Sequence, residues 1–371
     1  MNVFTGIFVV ILLQSYNFSL YAKTKSVLIT KEQRLNAEEN SKKYEWAKEI
    51  QSNAIRKAEV WMRMSDEELL SLVTEQYVTR DIHTNTRVGC PNCGNGILGF
   101  GNYPWEQGGE WKLQCPNCCE LFPKNDFKMY LKFKEDTSGI INYIFKPTEF
   151  DNYLVDTLYQ CDNGFGMFDS TGNQHNIIAY YNHWFNWRGF ISDALNDLSY
   201  AYTLTNNKRY AEKSMLILLK IVEVYPNLDY ENQDTLFKNR NHAKKGIGGF
   251  ATDRNWENLI IYDIITNYDK IFDGLIENNQ FFDDLSTKKY FKNKFDNIYQ
   301  INNYFIENFT DVVFEAIKNQ KIRGNPPKTN RILTYFSIIF QDEETAGKYL
   351  DYTFSSNYDN EYSTKWLLTE G

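Results

Sequence analysis

Residues 191–226, ISDALNDLSYAYTLTNNKRYAEKSMLILLKIVEVYP, read as two antiparallel helices joined by a short polar turn. On the first limb Ile191, Ala194, Leu195, Leu198 and Tyr202 recur at three- and four-residue spacing, an apolar stripe of helical period. Ala211, Met215, Leu218, Val222 and Tyr225 repeat the pattern on the second limb, and Pro226 stops it. The turn, Thr205-Asn206-Asn207-Lys208, carries residues that tolerate a left-handed backbone or bond back to it. One hairpin cannot bury both stripes by itself, so further pairs are expected to pack beside it.

The later segments supply candidates. Leu259 to Phe272 form an amphipathic helical pattern, residues 290–314 give another, and residues 330–340 a third. Ahead of the hairpin, Tyr44, Ala47, Ile50, Ala54, Ala58 and Trp61 define one helix face. A second helix opens at Ser65, with Glu68 at the capping-box position. The fold class is therefore mainly α. The glycines at 246, 248 and 249 mark a loop, since no strand precedes them and no Gly-Lys-Ser/Thr follows.

Residues 1–22 contain the short apolar run Ile7 to Leu13 and end at Tyr21-Ala22 before the polar Lys23-Thr24-Lys25. That is the outline of a signal peptide cleaved after Ala22, too short in its apolar core for a spanning helix. The expected location is periplasmic or secreted, with no stable membrane span after removal of the signal. A net charge of −8 gives the whole molecule no electrostatic reason to bind nucleic acid. An anionic ligand would need a local basic patch. No organic cofactor motif is present, and oligomeric state is not legible.

Cys90-Pro91-Asn92-Cys93 and Cys115-Pro116-Asn117-Cys118 have the spacing of a four-cysteine zinc ribbon. Such zinc would be structural, because four thiolates leave no open position for water. Disulfides are the alternative in an exported chain. Thioredoxin-like redox chemistry fits less well without a surrounding βαβ pattern. Cys119 and Cys161 are left as buried thiols or an incidental pair.

Taken in order, YEWAKEIQSNAIRKAEVWMRMSDEELLSLV, CPNCG with CPNCCELFPKNDF, and the AYTLT hairpin ending VEVYP resemble the heparinase II/III-like polysaccharide lyases. The likeness is closest to secreted members with a cysteine-knuckle insert and runs from about Tyr44 to the last residue. It implies an incomplete (α/α) toroid of helix hairpins, followed in the family by β-sandwich domains that this chain lacks. Its implied organisation is a signal peptide over 1–22, N-terminal helices over 23–85, a zinc-ribbon-like insert over 86–130 and a partial toroid over 131–371. The implied substrate is a uronic-acid polysaccharide, glycosaminoglycan- or alginate-like, cleaved by β-elimination.

Such a lyase removes the proton α to the uronate carboxylate, and donors must neutralise the charge that builds there. The family's Asn for that task corresponds to Asn325 in Lys321-Ile322-Arg323-Gly324-Asn325-Pro326-Pro327, a sequence that would also make a good turn on its own. The catalytic Tyr follows an acidic Gly stretch that resembles Leu368-Thr369-Glu370-Gly371, so the chain is expected to be the front part of a lyase, without its base. In Asn173 to Trp187, Tyr181, His183 and Trp187 are candidate sugar-lining residues; His183 and Trp187, four apart, share a helix face. Arg240, His242, Arg254, Arg323 and Arg331 are candidates for the positive patch. Two other classes stay open: a glycoside hydrolase using carboxylates such as Asp253, Glu257 or Asp263, and a glycan binder without catalysis.

Overall fold

The hairpin forms as α5 (Ser192–Thr205) and α6 (Lys208–Val224) in the computed structural model, which describes residues 23–84, 89–94, 105–131, 161–230, 248–322, 328–340 and 343–354, with the side chains of 254 and 255 excepted. Asn206 takes the left-handed conformation at φ 53°, and its N–H donates to the Tyr202 carbonyl. Asn207 caps α6 by accepting from the Arg209 amide, and Pro226 lies in the 3-10 turn Tyr225–Asn227 that ends it. Both predicted stripes are buried.

They pack against α2 (Glu45–Met62) and α7 (Arg254–Leu275), so α7 runs through the middle of the molecule. Gly274 lets it come close. A Cβ there would stand 2.8 Å from the Ala211 Cβ and 2.9 Å from the Tyr202 ring.

The N-terminal helices differ from expectation at one place. Tyr44, extended at φ −124° and ψ 130°, separates α1 (Lys31–Lys43) from α2. Ala47, Ala54, Ala58 and Trp61 face the core, whereas Tyr44 and Ile50 are exposed. The next helix, α3 (Asp66–Leu70), starts with the predicted Ser65–Glu68 capping box.

A short helix α4 (Ile177–Tyr181) continues as a wider π-helical stretch, Asn182–Ile191, into α5. After α7 come α8 (Asn279–Thr287) and α9 (Ile298–Phe305). A π turn, Ile306–Thr310, joins α9 to α10 (Asp311–Lys318). The pattern over 290–314 is thus two helices, and its first residues are irregular. α11 (Lys328–Phe340) packs on both α7 and α12 (Glu343–Phe354).

Among the described residues, strands are confined to two small antiparallel sheets. One has the order β1 (Glu106–Gly109), β2 (Lys112–Gln114), β3 (Leu121–Phe122); the other pairs β4 (Met167–Phe168) with β5 (Gln174–His175). No described helix is long and apolar enough to cross a membrane. The expected signal peptide lies outside the described residues.

Candidate metal centre and groove

The two knuckles bring four sulfurs together. Cys90 and Cys118 Sγ are 3.8 Å apart, Cys93 and Cys115 Sγ 3.9 Å, and all four lie within 4.8 Å of one another. A disulfide needs about 2.05 Å. A tetrahedral ion with metal–sulfur bonds of about 2.3 Å needs sulfurs ~3.8 Å apart. The 3.8 and 3.9 Å contacts match that separation, so the cluster could hold a metal ion.

Each knuckle closes alike: Gly94 N–H donates to the Cys90 carbonyl and Cys119 N–H to that of Cys115, both at 2.9 Å. The closing residue is left-handed in each, at φ 61° for Gly94 and 60° for Cys119. Cys119, read from the sequence as a buried thiol or a partner of Cys161, is a free thiol. It is exposed, because it takes the place that glycine fills in the first knuckle.

Burial pushes the Cys90 and Cys115 thiols up. It also opposes the Cys118 thiolate, but the Glu120 amide and Asn92 outweigh it and bring that group down to about 7. A bound cation would favour every thiolate in the set.

The ribbon is rooted on α4. Leu113, Phe122, Phe127, Met167, Ile177 and Ile178 form a core of their own, and Trp111 lies 5.0 Å from the Tyr181 ring. Asp162 locks this joint. Its Oδ1 accepts from the Gly164 and Gly166 amides at 2.8 and 3.0 Å, and its Oδ2 from the Ile178 amide at 3.0 Å. The Asp162 backbone exchanges two bonds with the Asn125 side chain, at 3.0 and 2.9 Å.

Burial outweighs the amide donors and raises the Asp162 carboxyl to about 6. Protonation therefore favours the folded state. This group's contribution is full below the unfolded value of about 4 and is lost as pH rises through about 6, a change of about 3 kcal/mol. Urea unfolding of the native protein and of Asp162→Asn should show the native protein's advantage shrinking by that amount between about pH 4 and pH 7. An advantage that grows would mean that the carboxyl ionises readily when folded.

Tyr181, His183 and Trp187, the expected sugar-lining residues, are all within the core. The cause lies in residues 72–84, which are irregular and largely buried, so their carbonyls need donors. Asn182 Nδ2 donates to the Val78 and Thr79 carbonyls at 3.1 and 3.0 Å, and Asn186 Nδ2 to Leu72 O at 2.6 Å. Trp187 Nε1 donates to Thr74 Oγ1 at 2.8 Å. The polar run of this segment holds backbone rather than ligand.

His183 is enclosed as well, with Nδ1 2.9 Å from Thr252 Oγ1 and Nε2 buried with no hydrogen-bond partner among the described residues. Burial, with Arg188, His83 and Arg80 nearby, keeps the ring neutral. Thr252 is fixed in turn by Glu257, which accepts from the Thr252 amide at 2.7 Å and from the Tyr225 hydroxyl. Glu257 is fully buried in these bonds, which removes it as an open hydrolytic carboxylate.

A different set of side chains is only half-buried. The Arg188 guanidinium lies over two indoles, 5.1 Å from the Trp184 ring centroid and 4.2 Å from that of Trp256. All three are half-buried. Across α7 a second cluster stands on α11. Arg331 lies 4.2 Å from the Tyr262 ring centroid, and Tyr262 meets Tyr335 edge-on at 5.2 Å.

Between the clusters the outward strip of α7 carries Trp256, Leu259 and Tyr262 at three-residue spacing, all half-buried. Trp184 and Arg188, also four apart, were missed as a pair in the sequence, although that spacing is itself the signal.

Asn325, Arg323, Arg240 and His242 lie outside the described residues, as does the Arg254 side chain. The described neighbours of Asn325 are anchored at the N-terminal end of α7. Thr329 Oγ1 is 3.4 Å from Asn258 Oδ1, and the Lys321 carbonyl is so close to Gly248 that a Cβ there would stand 1.9 Å from it.

These features define a mainly helical protein with a four-cysteine cluster able to hold a metal. No protein-family profile, curated protein or solved structure matches the chain.

Proposed function

We propose that the protein is the helical part of a lyase that acts on a uronic-acid polysaccharide by β-elimination, exported from the cell and built on an incomplete (α/α) toroid. The observation that carries this reading is the half-buried strip Trp256, Leu259 and Tyr262 on α7, whose two rings each pack against an arginine. Aromatic faces suit the C–H faces of pyranoses, and guanidinium groups suit carboxylates. Thr329 and Lys321, on either side of Asn325, meet Asn258 and Gly248 at the same end of α7.

In this reading a Tyr base takes the α-proton while the Asn325 amide donates to the uronate carboxylate, the C4–C5 double bond forms as the C4–O bond breaks, and an acid gives a proton to the leaving oxygen. The cysteine cluster carries zinc in a closed structural site, since four thiolates in tetrahedral array suit that ion.

Electrophoresis through gels containing alginate or a glycosaminoglycan should retard the protein, and a neutral glucan gel should not. In a chain that includes the Tyr base, Asn325→Ala should lower formation of the ultraviolet-absorbing unsaturated product about 100-fold or more. Equal mobility in charged and neutral gels would remove the reading.

A further inference from the structure

A small cavity opens where the end of α2 and the start of α3 meet α6 and α8, with no α7 residue in its lining. We infer that it binds a small zwitterion, an α-amino acid with an apolar side chain. The inference is independent of the uronate reading above.

Helical period builds the walls. Arg209, Glu212 and Leu216 fall on one face of α6, and Phe281, Asp284 and Leu285 on one face of α8, at three- and four-residue spacing. Met62, at the end of α2, closes the third side. The apolar part of the lining is its floor: Leu216, Phe281 and Leu285 are buried and Met62 is half-buried. The volume of about 260 Å³ lies just under the roughly 300–1,000 Å³ usual for organic ligands, so the occupant has the size of a single amino acid.

The rim carries both signs of charge, and its pairing is incomplete. Asp66 is occupied by two ammonium groups, those of Lys213 at 2.9 Å and of Lys288. Asn278 donates to Glu212 Oε1 at 2.7 Å, and Gln280 donates to Asp284 Oδ1 at 2.8 Å. Glu212 Oε2 and Asp284 Oδ2 have no donor among the described residues. Arg209 lies one turn before Glu212, yet its guanidinium makes no hydrogen bond or ion pair among the described residues. An exposed, unpaired arginine is ordinary by itself. This one stands over an apolar floor, with an unfilled carboxylate oxygen on the facing helix. The combination suits a carboxylate for Arg209, an ammonium for Glu212 and Asp284, and an apolar side chain for the floor. A ligand with one charge would leave half of the rim unmet.

The test is calorimetric titration of the full chain with leucine and three analogues. Leucinamide lacks the carboxylate, isocaproate lacks the ammonium, and glycine lacks the side chain. Leucine should bind at least about tenfold more tightly than each of them. Arg209→Ala, at an exposed position, should weaken leucine and isocaproate about tenfold and leave leucinamide within about twofold. Glu212→Gln combined with Asp284→Asn should do the converse, weakening leucine and leucinamide while sparing isocaproate. Circular dichroism of both variants without ligand should match that of the native chain.

Equal affinity for leucine and its singly charged analogues, no effect of Arg209→Ala, or no saturable heat with leucine would each overturn the site. None of these results would bear on uronate recognition.

Discussion

Stripping metal from the four-cysteine cluster is expected to unfold the ribbon and loosen the joint with α4. Cys115→Ser should do the same. The four sulfurs are spaced for a common ion, and without one the buried Cys90 and Cys115 would sit as thiols with no covalent tie between the knuckles. Structural zinc supplies roughly 10 kcal/mol or more to small domains that fold around it. Beneath the cluster, β2 and β3 present Leu113 and Phe122 to the same core that holds Ile177 and Ile178.

Loss of the ribbon would therefore uncover α4 and the π-helical stretch that carries Trp184 and Arg188. At about 2–4 °C per kcal/mol for a protein of this size, a loss of several kcal/mol should lower the melting temperature on the order of 10 °C. Native mass spectrometry should give one divalent ion per chain. Thiol titration should find the four cysteines protected until a chelator is added. An unchanged melting point after chelation, with a native mass equal to the bare chain, would rule out a structural metal.

The helical hairpins were legible because their signals are local. Apolar spacing, the Ser65–Glu68 box and Asn206 in the turn each act within a few residues. The cysteine cluster was legible too, since two knuckles of fixed spacing can close only on a small volume. The groove was not. Tyr181, His183 and Trp187 have the composition of a sugar wall, yet their surroundings depend on residues 72–84, about a hundred positions earlier in the chain. Whether an Asn or Trp faces a ligand or an orphaned carbonyl is decided by that long-range contact. Arg188 was overlooked for the same reason, because its partner Trp256 comes from another helix. The break at Tyr44 was hidden because helical sequence continues on both sides of it.

The second large effect is expected at Lys23, which ties α7 to α11. Its ammonium is fully buried, donates to Asp269 on α7, and donates to the Ile339 carbonyl on α11 at 2.9 Å. Asp269 also accepts from the Val27 and Leu28 amides, at 3.1 and 2.8 Å. Arg34 and Asp273 form a second pair one helical turn further along α7. Residues 23–28 thus form a strap along α7.

Burial lowers the pKa of Lys23, and Asp269 works against that shift. Removing the counter-ion leaves a buried cation without its carboxylate partner, so Asp269→Ala should cost about 3–5 kcal/mol in urea unfolding. Lys23→Met should cost less, because the carboxylate would keep its amide donors. In the double variant the loss should fall short of the sum by more than 1 kcal/mol, roughly the coupling expected of touching charges. Additive losses below that size would mean that the pair does not hold the strap.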